Sequence, residues 1–290
     1  MRSLATKHKK FRILPYFLVL PVICAYLLWV YYPFIKSIIL SLTVCNTRGE
    51  IKRWAGLANF KRFFTTQKSV KILLNTLKLA LMLGFGTLTV ATILALLCVE
   101  KKKFCRIYQT MYALPMAIAS VASSTAFKLI FKADGLFNIV TGLKNGWLLN
   151  EKTALVTIAV CTIWGGIGSS FIFLLVGFRN VPEELIESAT IDGAGSMRRI
   201  FNILIPCASP QIFFVVFLNI NGAFKSYVMI RQLTGGGPND STMTLIYDIF
   251  LQALRQGRYE IACAESLILF ALIWIFHRIQ FSLENKLVVY

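Results

Sequence analysis

Six apolar runs, at roughly 13–41, 72–98, 107–131, 154–178, 207–230 and 262–281, constrain this chain more than any other feature. A helix needs about 20 apolar residues to cross the hydrocarbon core of a bilayer. Inside lipid every backbone N–H and C=O must find its partner within the protein, and a single segment manages that only as a helix. The runs therefore predict an all-α, polytopic membrane protein with six transmembrane helices. Residues 1–12 form a cytoplasmic segment, 13–281 the transmembrane domain, and 282–290 a cytoplasmic tail. Length alone would allow one or two soluble domains. With 57% hydrophobic residues gathered in blocks and only 15% charged, the composition excludes them.

The net charge of +18 suits membrane lipids better than nucleic acid. The basic residues fall at span ends and in loops, where they meet anionic headgroups, and no zinc-finger spacing or basic–aromatic alternation occurs. Arg2, Lys7, Lys9, Lys10 and Arg12 precede a run too long for a signal peptide, with no small-residue cleavage site after it. This predicts an uncleaved first span, kinked at Pro15, Pro21 or Pro33, and a cytoplasmic N-terminus. The short basic stretch Lys101, Lys102, Lys103 and Arg106 supports the same orientation. The seven cysteines are scattered without a C-x-x-C pair, which indicates neither a disulfide framework nor a metal site. His8 and His277 look interfacial. No G-x-x-x-x-G-K-[ST] motif occurs, so an active transporter built on this chain needs a separate ATPase.

Between the spans, 42–71, 132–153 and 231–260 are expected outside. Gly56 to Phe64 alternates apolar and basic residues at helical spacing, as in an amphipathic interfacial helix. Ala117, Ala119, Ser120, Ala122, Ser123 and Ser124 in span three let helices approach closely, and Gly165, Gly166 and Gly168 in span four permit a kink or a close contact. Span five is polar for a span. Asn221 and Lys225 are four apart and share a face on a continuous helix. Asn219, Asn221 and Lys225, with Trp164 and Ser169 of span four, are the candidates for a solute path. Intramembrane polar groups usually face a bundle interior or a wet cavity, polar groups suit hydroxylated solutes, and an aromatic ring stacks on a sugar. The other reading has Lys225 snorkelling outward and the asparagines bonding neighbouring helices.

Between the fourth and fifth spans lies a polar stretch, Val181 to Pro206, VPEELIESATIDGAGSMRRIFNILIP. It reads as two short helices. Pro182 takes the first helical position, and Glu183 and Glu184 occupy the first turn, where negative charge offsets the helix dipole. Leu185, Ile186, Ala189 and Ile191 form an apolar side. Gly193 ends the helix, and Ser196 caps the second.

Glu187-Ser188-Ala189, Gly193, Ile203, Ile205 and Pro206 resemble the EAA loop of binding-protein-dependent ABC import permeases, with Ser188 and Ile205 as mild departures. Pro182 to Leu185 and Ile191-Asp192-Gly193-Ala194 resemble the carbohydrate-importer branch. Gly56 to Phe60, Asn75-Thr76, Gly135 to Asn138 and Trp147-Leu148 extend the likeness. Leu233 to Pro238, with Gly235, Gly236, Gly237 and Pro238, resembles the external loop of the glycerol-phosphate- and multiple-sugar-type permease subunit. Tyr259, Ala262 and Ala264 fit the same pattern. Glu265 departs from it, and is either interfacial or facing the cavity.

The resemblance implies a type I ABC importer permease fold in a bacterial plasma membrane. The implied partners are a second homologous permease, a cytoplasmic ATPase dimer and an extracellular solute-binding protein. ATP and magnesium would sit on the ATPase, with no cofactor on this chain. Glu183, Glu184, Leu185, Glu187, Ser188, Ala189, Ile191, Asp192 and Gly193 would couple to the ATPase, and 231–244 would form the external loop. Two other classes compete with this one. A secondary transporter driven by an ion gradient would need membrane-embedded carboxylates, of which Glu265 is the one candidate. A membrane enzyme would need a nucleophile–base, metal or paired-carboxylate constellation, and none stands out.

Overall fold

A computed structural model of the chain describes residues 14–100, 105–142 and 146–287. The basic N-terminal segment 1–12, Lys101 to Lys103 and the last residues of the tail lie outside that range, so the orientation signals they carry are not addressed by it. Five helices are long and apolar enough to cross a membrane: α1 (Tyr16–Ser41), α3 (Gln67–Leu97), α7 (Glu151–Arg179), Ser209–Leu233 and Tyr259–Glu284. The expected third span is not one straight helix. It is a pair, Cys105–Ala117 and Ser120–Thr141, bent by 98°. We label its parts α4 (Cys105–Ala117) and α5 (Ser120–Phe131), followed by α6 (Leu136–Thr141). The bend follows from Pro115, which lies in a 3₁₀ turn over Leu114–Ala117 and has no N–H to continue an α-helix.

Span five is also divided. Helix α10 (Ser209–Phe224) stops at Lys225, and α11 (Val228–Leu233) resumes after Tyr227. The first span, by contrast, absorbs its prolines. The helix widens into a π turn over Leu27–Tyr31 just before Pro33 and stays continuous. The same device appears at Ile200–Leu204, ahead of Pro206. In both places a proline without an N–H follows the widened turn.

Between α1 and α3 lie an antiparallel hairpin, β1 (Thr43–Cys45) with β2 (Ile51–Trp54), and the amphipathic helix α2 (Ala58–Thr65). The helix was expected and the hairpin was not. Phe63 is the buried anchor of α2, and Asn59 Nδ2 donates to Ser41 O at 2.8 Å and Thr43 O at 2.9 Å. The remaining helices are α8 (Glu183–Ile191), α9 (Ser196–Arg199), α12 (Leu245–Phe250) and α13 (Tyr259–Leu287).

Helix α3 packs along α7, and α10 lies against both. Small residues make this close approach possible: Ala91, Ala95, Ala154 and Ala159 are fully enclosed. At Gly168 of α7 a β-carbon would lie 2.9 Å from Ala113 O of α4, so this glycine serves a close contact rather than a kink. The core has two parts. One gathers Ile72, Leu79, Ile158, Phe224, Ile230, Leu245 and Leu269 toward the end holding the glycine-rich loop. The other gathers Ala95, Cys98, Phe171, Leu174, Phe178 and Leu204 toward the end holding α8.

Candidate functional site

At the α8 end, two short helices project from the bundle. Pro182 has ψ 129° and caps α8 rather than opening it, so the helix starts one residue later than its sequence suggests. Glu183 and Glu184 do fill the first turn. After Ile191 the chain closes with Gly193 at φ +78°. Gly193 N–H donates to Thr190 O at 3.1 Å and Ala194 N–H to Ala189 O at 2.8 Å. These paired bonds satisfy the last carbonyls of the helix and need a left-handed residue between them. Gly195, not Ser196, caps α9. Arg199 ties the two helices together, donating to Thr190 Oγ1 at 3.0 Å and Ser196 Oγ at 3.3 Å.

The apolar side of α8 is split. Ile186 packs on the core, whereas Leu185 and Ile191 stay exposed. Met197 and Phe201 are exposed beside them, and Ile191 retains 86% of its free surface. Among the described residues, Glu187 makes no ion pair or hydrogen bond, and it is exposed, as are Ser188 and Asp192. Ala189 is half-buried. The result is a rigid helical pair that shows apolar side chains and a free carboxylate to something outside this chain.

Midway through the bundle, where the break in span three meets the break in span five, lies a cavity of about 420 Å³. Ser169, Asn219 and Lys225 line it, together with Thr87, Ser120, Ser123, Thr162 and Ser226. Ser120 and Ser123, read from sequence as packing residues, supply hydroxyls here. Asn219 Oδ1 accepts from Ser170 Oγ at 2.9 Å, and its Nδ2 has no partner among the described residues. Two of the five residues grouped from sequence lie elsewhere. Trp164 packs edge-on against Phe127, ring centroids 5.3 Å apart. Asn221 bonds His277 Nε2 of α13 at 2.9 Å. Asn221 and Lys225 thus have different surroundings: Lys225, the cap of α10, lines the cavity, and Asn221 turns to α13. His277 itself packs within the bundle, its ring 4.3 Å from that of Phe217. A lone serine or threonine in a span carries no signal of its own, and only the two breaks bring these together.

At the opposite end, the glycine-rich loop is a fixed turn. Gly235 and Gly236 have φ +61° and +90°, and Asn239 and Asp240 are also left-handed. The start of α3 holds this loop. Lys71 Nζ donates to Asn239 O at 2.6 Å, and Asn75 Nδ2 to Asp240 O and Met243 O at 2.9 and 3.2 Å. Thr76 Oγ1 accepts from Leu245 N–H at 2.8 Å. Lys68 pairs with Asp240 at 3.2 Å.

Just beyond, α12 carries Asp248, whose carboxyl lies within hydrogen-bonding reach of Glu265 on α13. Both side chains are buried. Glu265, open to two readings from sequence, is therefore buried against α12 and does not line the central cavity. Burial pushes the Asp248 carboxyl above its ordinary range, against the milder opposing effect of Lys68. An acid whose folded pKa is raised stabilises the fold fully below its unfolded pKa and loses that contribution as pH rises through the folded value. Thermal unfolding of the purified protein should therefore shift to lower temperature as pH rises above the ordinary carboxylate range. Asp248→Asn, which keeps the shape and a hydrogen bond, should flatten that decline; an unchanged slope would remove Asp248 as its origin.

These features define a polytopic α-helical membrane protein with a projecting helical pair at one end, a polar cavity between broken spans and a fixed loop at the other end. Residues 88–289 match the family described as "Binding-protein-dependent transport system inner membrane component", and the chain belongs to it. It is 31% identical over 283 residues to the "sn-glycerol-3-phosphate transport system permease protein UgpA" of Yersinia pseudotuberculosis, covering 96% of each chain. It is 29% identical over 281 residues to the protein of the same name in Salmonella typhi, covering 95% of each. In fold it is similar to a bacterial ABC transporter involved in the import of the acidic polysaccharide alginate (TM-score 0.83, 21% identity, 95% of this chain and 96% of that one). It is likewise similar to a bacterial alginate ABC transporter in complex with an alginate pentasaccharide-bound periplasmic protein (TM-score 0.82, 20% identity, 94% of each). The ion-gradient alternative finds no support in these relationships.

Proposed function

We propose that this chain and a second, homologous permease form the membrane passage of an ATP-driven importer for a carbohydrate, polyol or sugar phosphate. An ATPase dimer with its ATP and magnesium lies on the cytoplasmic side, and a solute-binding protein lies outside. The observation that carries the reading is the α8–α9 pair: a rigid polar projection that leaves Leu185, Ile191, Met197 and Phe201 exposed at one end of an apolar bundle. Exposed apolar side chains gathered on one element mark a contact with a partner. Docking on the ATPase through Leu185, Ala189 and Ile191, with Glu187 offering its free carboxylate to a donor, would let closure of the ATPases move the spans. Leu204 and Phe178, buried in the core part next to α8, give that movement a packed route into α7 and α10.

The solute crosses through the cavity lined by Ser169, Asn219 and Lys225, and the 231–244 loop faces the binding protein. Both termini and 181–206 are then cytoplasmic. Labelling single cysteines in intact cells tests this orientation: Ser196→Cys should react only after the membrane is made permeable, and Asn239→Cys should react from outside. Reaction of Ser196→Cys from outside would reverse the assignment. The function itself is tested by reconstituting the chain with its second permease, ATPase and binding protein. ATP-dependent uptake that requires the loaded binding protein is expected, and uptake driven by an ion gradient without ATP would replace the reading.

A further inference from the structure

Asp248 on α12 and Glu265 on α13 serve no step of the transport reading, yet only 5% and 3% of their surfaces are exposed. Their carboxyls lie within hydrogen-bonding reach of each other. A hydrogen bond between two carboxyls needs a proton on one of them, since ionised carboxylates only accept. Two carboxylates in contact and out of water repel too strongly to ionise together. The geometry therefore holds one proton at this contact. The charged groups that face it are Arg62 on α2, Lys68 at the start of α3, Asp240 in the glycine-rich loop and Arg258 just ahead of α13. Lys68 is paired with Asp240 at 3.2 Å, and among the described residues neither Asp248 nor Glu265 makes an ion pair with any of these cations. Arg62, Lys68 and Arg258 line a cleft of about 290 Å³ together with the two carboxyls. The three bases are exposed, so the cleft gives the proton a route to solvent.

The contact fastens a short element. Helix α12 has six residues, too few to stand as a helix by itself, and it follows directly on the glycine-rich loop. Its first residue is tied to α3 by the bond from Leu245 N–H to Thr76 Oγ1, and Asp248 ties the same helix to α13. With both carboxyls ionised, the repulsion is relieved by α12 moving off α13 and admitting water, and the loop ahead of it loses that support. Burial, which raises the Asp248 carboxyl, acts in the same direction: the contact is made in the protonated form and lost as pH rises.

We propose that Asp248 and Glu265 share one proton as a latch that fastens α12, and with it the glycine-rich loop, to α13, and that loss of this proton at alkaline external pH releases the loop and slows transport. The effect on transport rests on the importer reading, which puts this end outside; the latch itself does not.

Hydrogen exchange on the purified full-length chain reads the latch directly. As pH rises through the alkaline range, protection of amides 239–250, corrected for intrinsic exchange, should fall about tenfold per unit, since opening releases one proton. Glu265→Gln supplies an amide N–H to Asp248 at every pH, so its protection should stay flat. Asp248→Asn, whose amide donates to Glu265, makes the same test from the other side. Infrared difference spectra should show the C=O stretch of a protonated carboxyl that fades over the same range and is missing from Glu265→Gln. In the complete reconstituted complex, raising only the external pH should slow uptake reversibly in the wild type and less in Glu265→Gln. Wild-type protection that does not change with pH, or that falls equally in both variants, would overturn the latch. Protection restored at alkaline pH by calcium would assign the carboxyls to a divalent cation and also overturn the shared proton. Absence of ATP-dependent uptake at every pH, with the exchange result as expected, would instead overturn the importer reading and leave the latch standing.

Discussion

Gly193→Val is expected to cut uptake and solute-stimulated ATP hydrolysis by an order of magnitude or more while the membrane bundle remains folded. Gly193 sits at φ +78°, and a β-carbon there would meet nothing within 4 Å. The penalty is therefore conformational and not a clash. Left-handed backbone costs an L-residue about 1–2 kcal/mol, and a β-branched side chain is worse placed there than most. Since each 1.4 kcal/mol is a tenfold change in an equilibrium, valine would largely depopulate the turn. With it go the bonds from Gly193 to Thr190 and from Ala194 to Ala189, and α9 loses its fixed position beside α8. Asparagine tolerates the left-handed region, so Gly193→Asn should keep most activity, which separates the turn from any need for a small residue. Glu187→Lys should weaken association with the ATPase, since a shielded hydrogen bond to a charged group is worth roughly 1.5–3 kcal/mol. It should leave solute recognition by the binding protein intact. Arg198→Lys, an exposed change that keeps its charge, is the control. Uptake and stimulated ATPase activity are measured side by side on the reconstituted complex. Normal values of both in Gly193→Val and Glu187→Lys would remove the α8–α9 pair from coupling.

Much of the architecture was legible because one solvent imposes it. Apolar runs of the right length must be helices in lipid, and the helices Gln67–Leu97, Glu151–Arg179 and Tyr259–Glu284 fall close to the runs read at 72–98, 154–178 and 262–281. The projecting pair was legible for a different reason. Its acids, its glycine and its exposed apolar residues obey local capping rules that need no tertiary information. Its two boundary errors, at Pro182 and Ser196, are one-residue shifts of cap position, the least determined part of a helix.

What failed depended on contacts between elements. Composition cannot show that the run at 107–131 bends at Pro115, because proline in a membrane helix is tolerated when neighbours satisfy the freed groups. Nor can spacing show that Lys225 ends a helix. Four-residue spacing puts Asn221 and Lys225 near one face, yet only Lys225, at the cap of α10, lines the cavity. Of the five residues grouped from sequence, Ser169, Asn219 and Lys225 line one cavity while Trp164 and Asn221 do not, and the hydroxyls of α3, α5 and α7 were invisible one at a time. Glu265 could not be placed without Asp248, which lies on a six-residue helix, Leu245–Phe250, too short to show a periodicity in the sequence.

Asn75 carries the second large effect. The sequence marks Asn75-Thr76 as a pair of polar residues opening an apolar span, and the structure gives them one task. Asn75 is buried and donates to the carbonyls of Asp240 and Met243, while Thr76 receives the N–H of Leu245. Together they fasten the far side of the glycine-rich loop to α3 across 165–169 residues of chain. Asn75→Leu fills the same space but withdraws both donors, leaving the Met243 carbonyl without a partner and the Asp240 carbonyl with the Met243 N–H alone. A buried polar group without a partner costs about 1–3 kcal/mol, which is enough to release a loop whose local opening energy is below that of the whole fold. Thr76→Val would add the loss of the acceptor for Leu245. The expected result is a permease that still inserts and assembles, with amides 239–246 exchanging hydrogen at least tenfold faster than in the wild type. If this loop faces the binding protein, stimulation of ATP hydrolysis by that protein should fall in the same variant, and basal hydrolysis should not. Gly193→Val, acting at the other end of the bundle, should leave exchange at 239–246 unchanged. Unaltered exchange in Asn75→Leu would mean that Lys71, Lys68 and the turn itself hold the loop without the asparagine, and the span-opening Asn-Thr pair would then need another explanation.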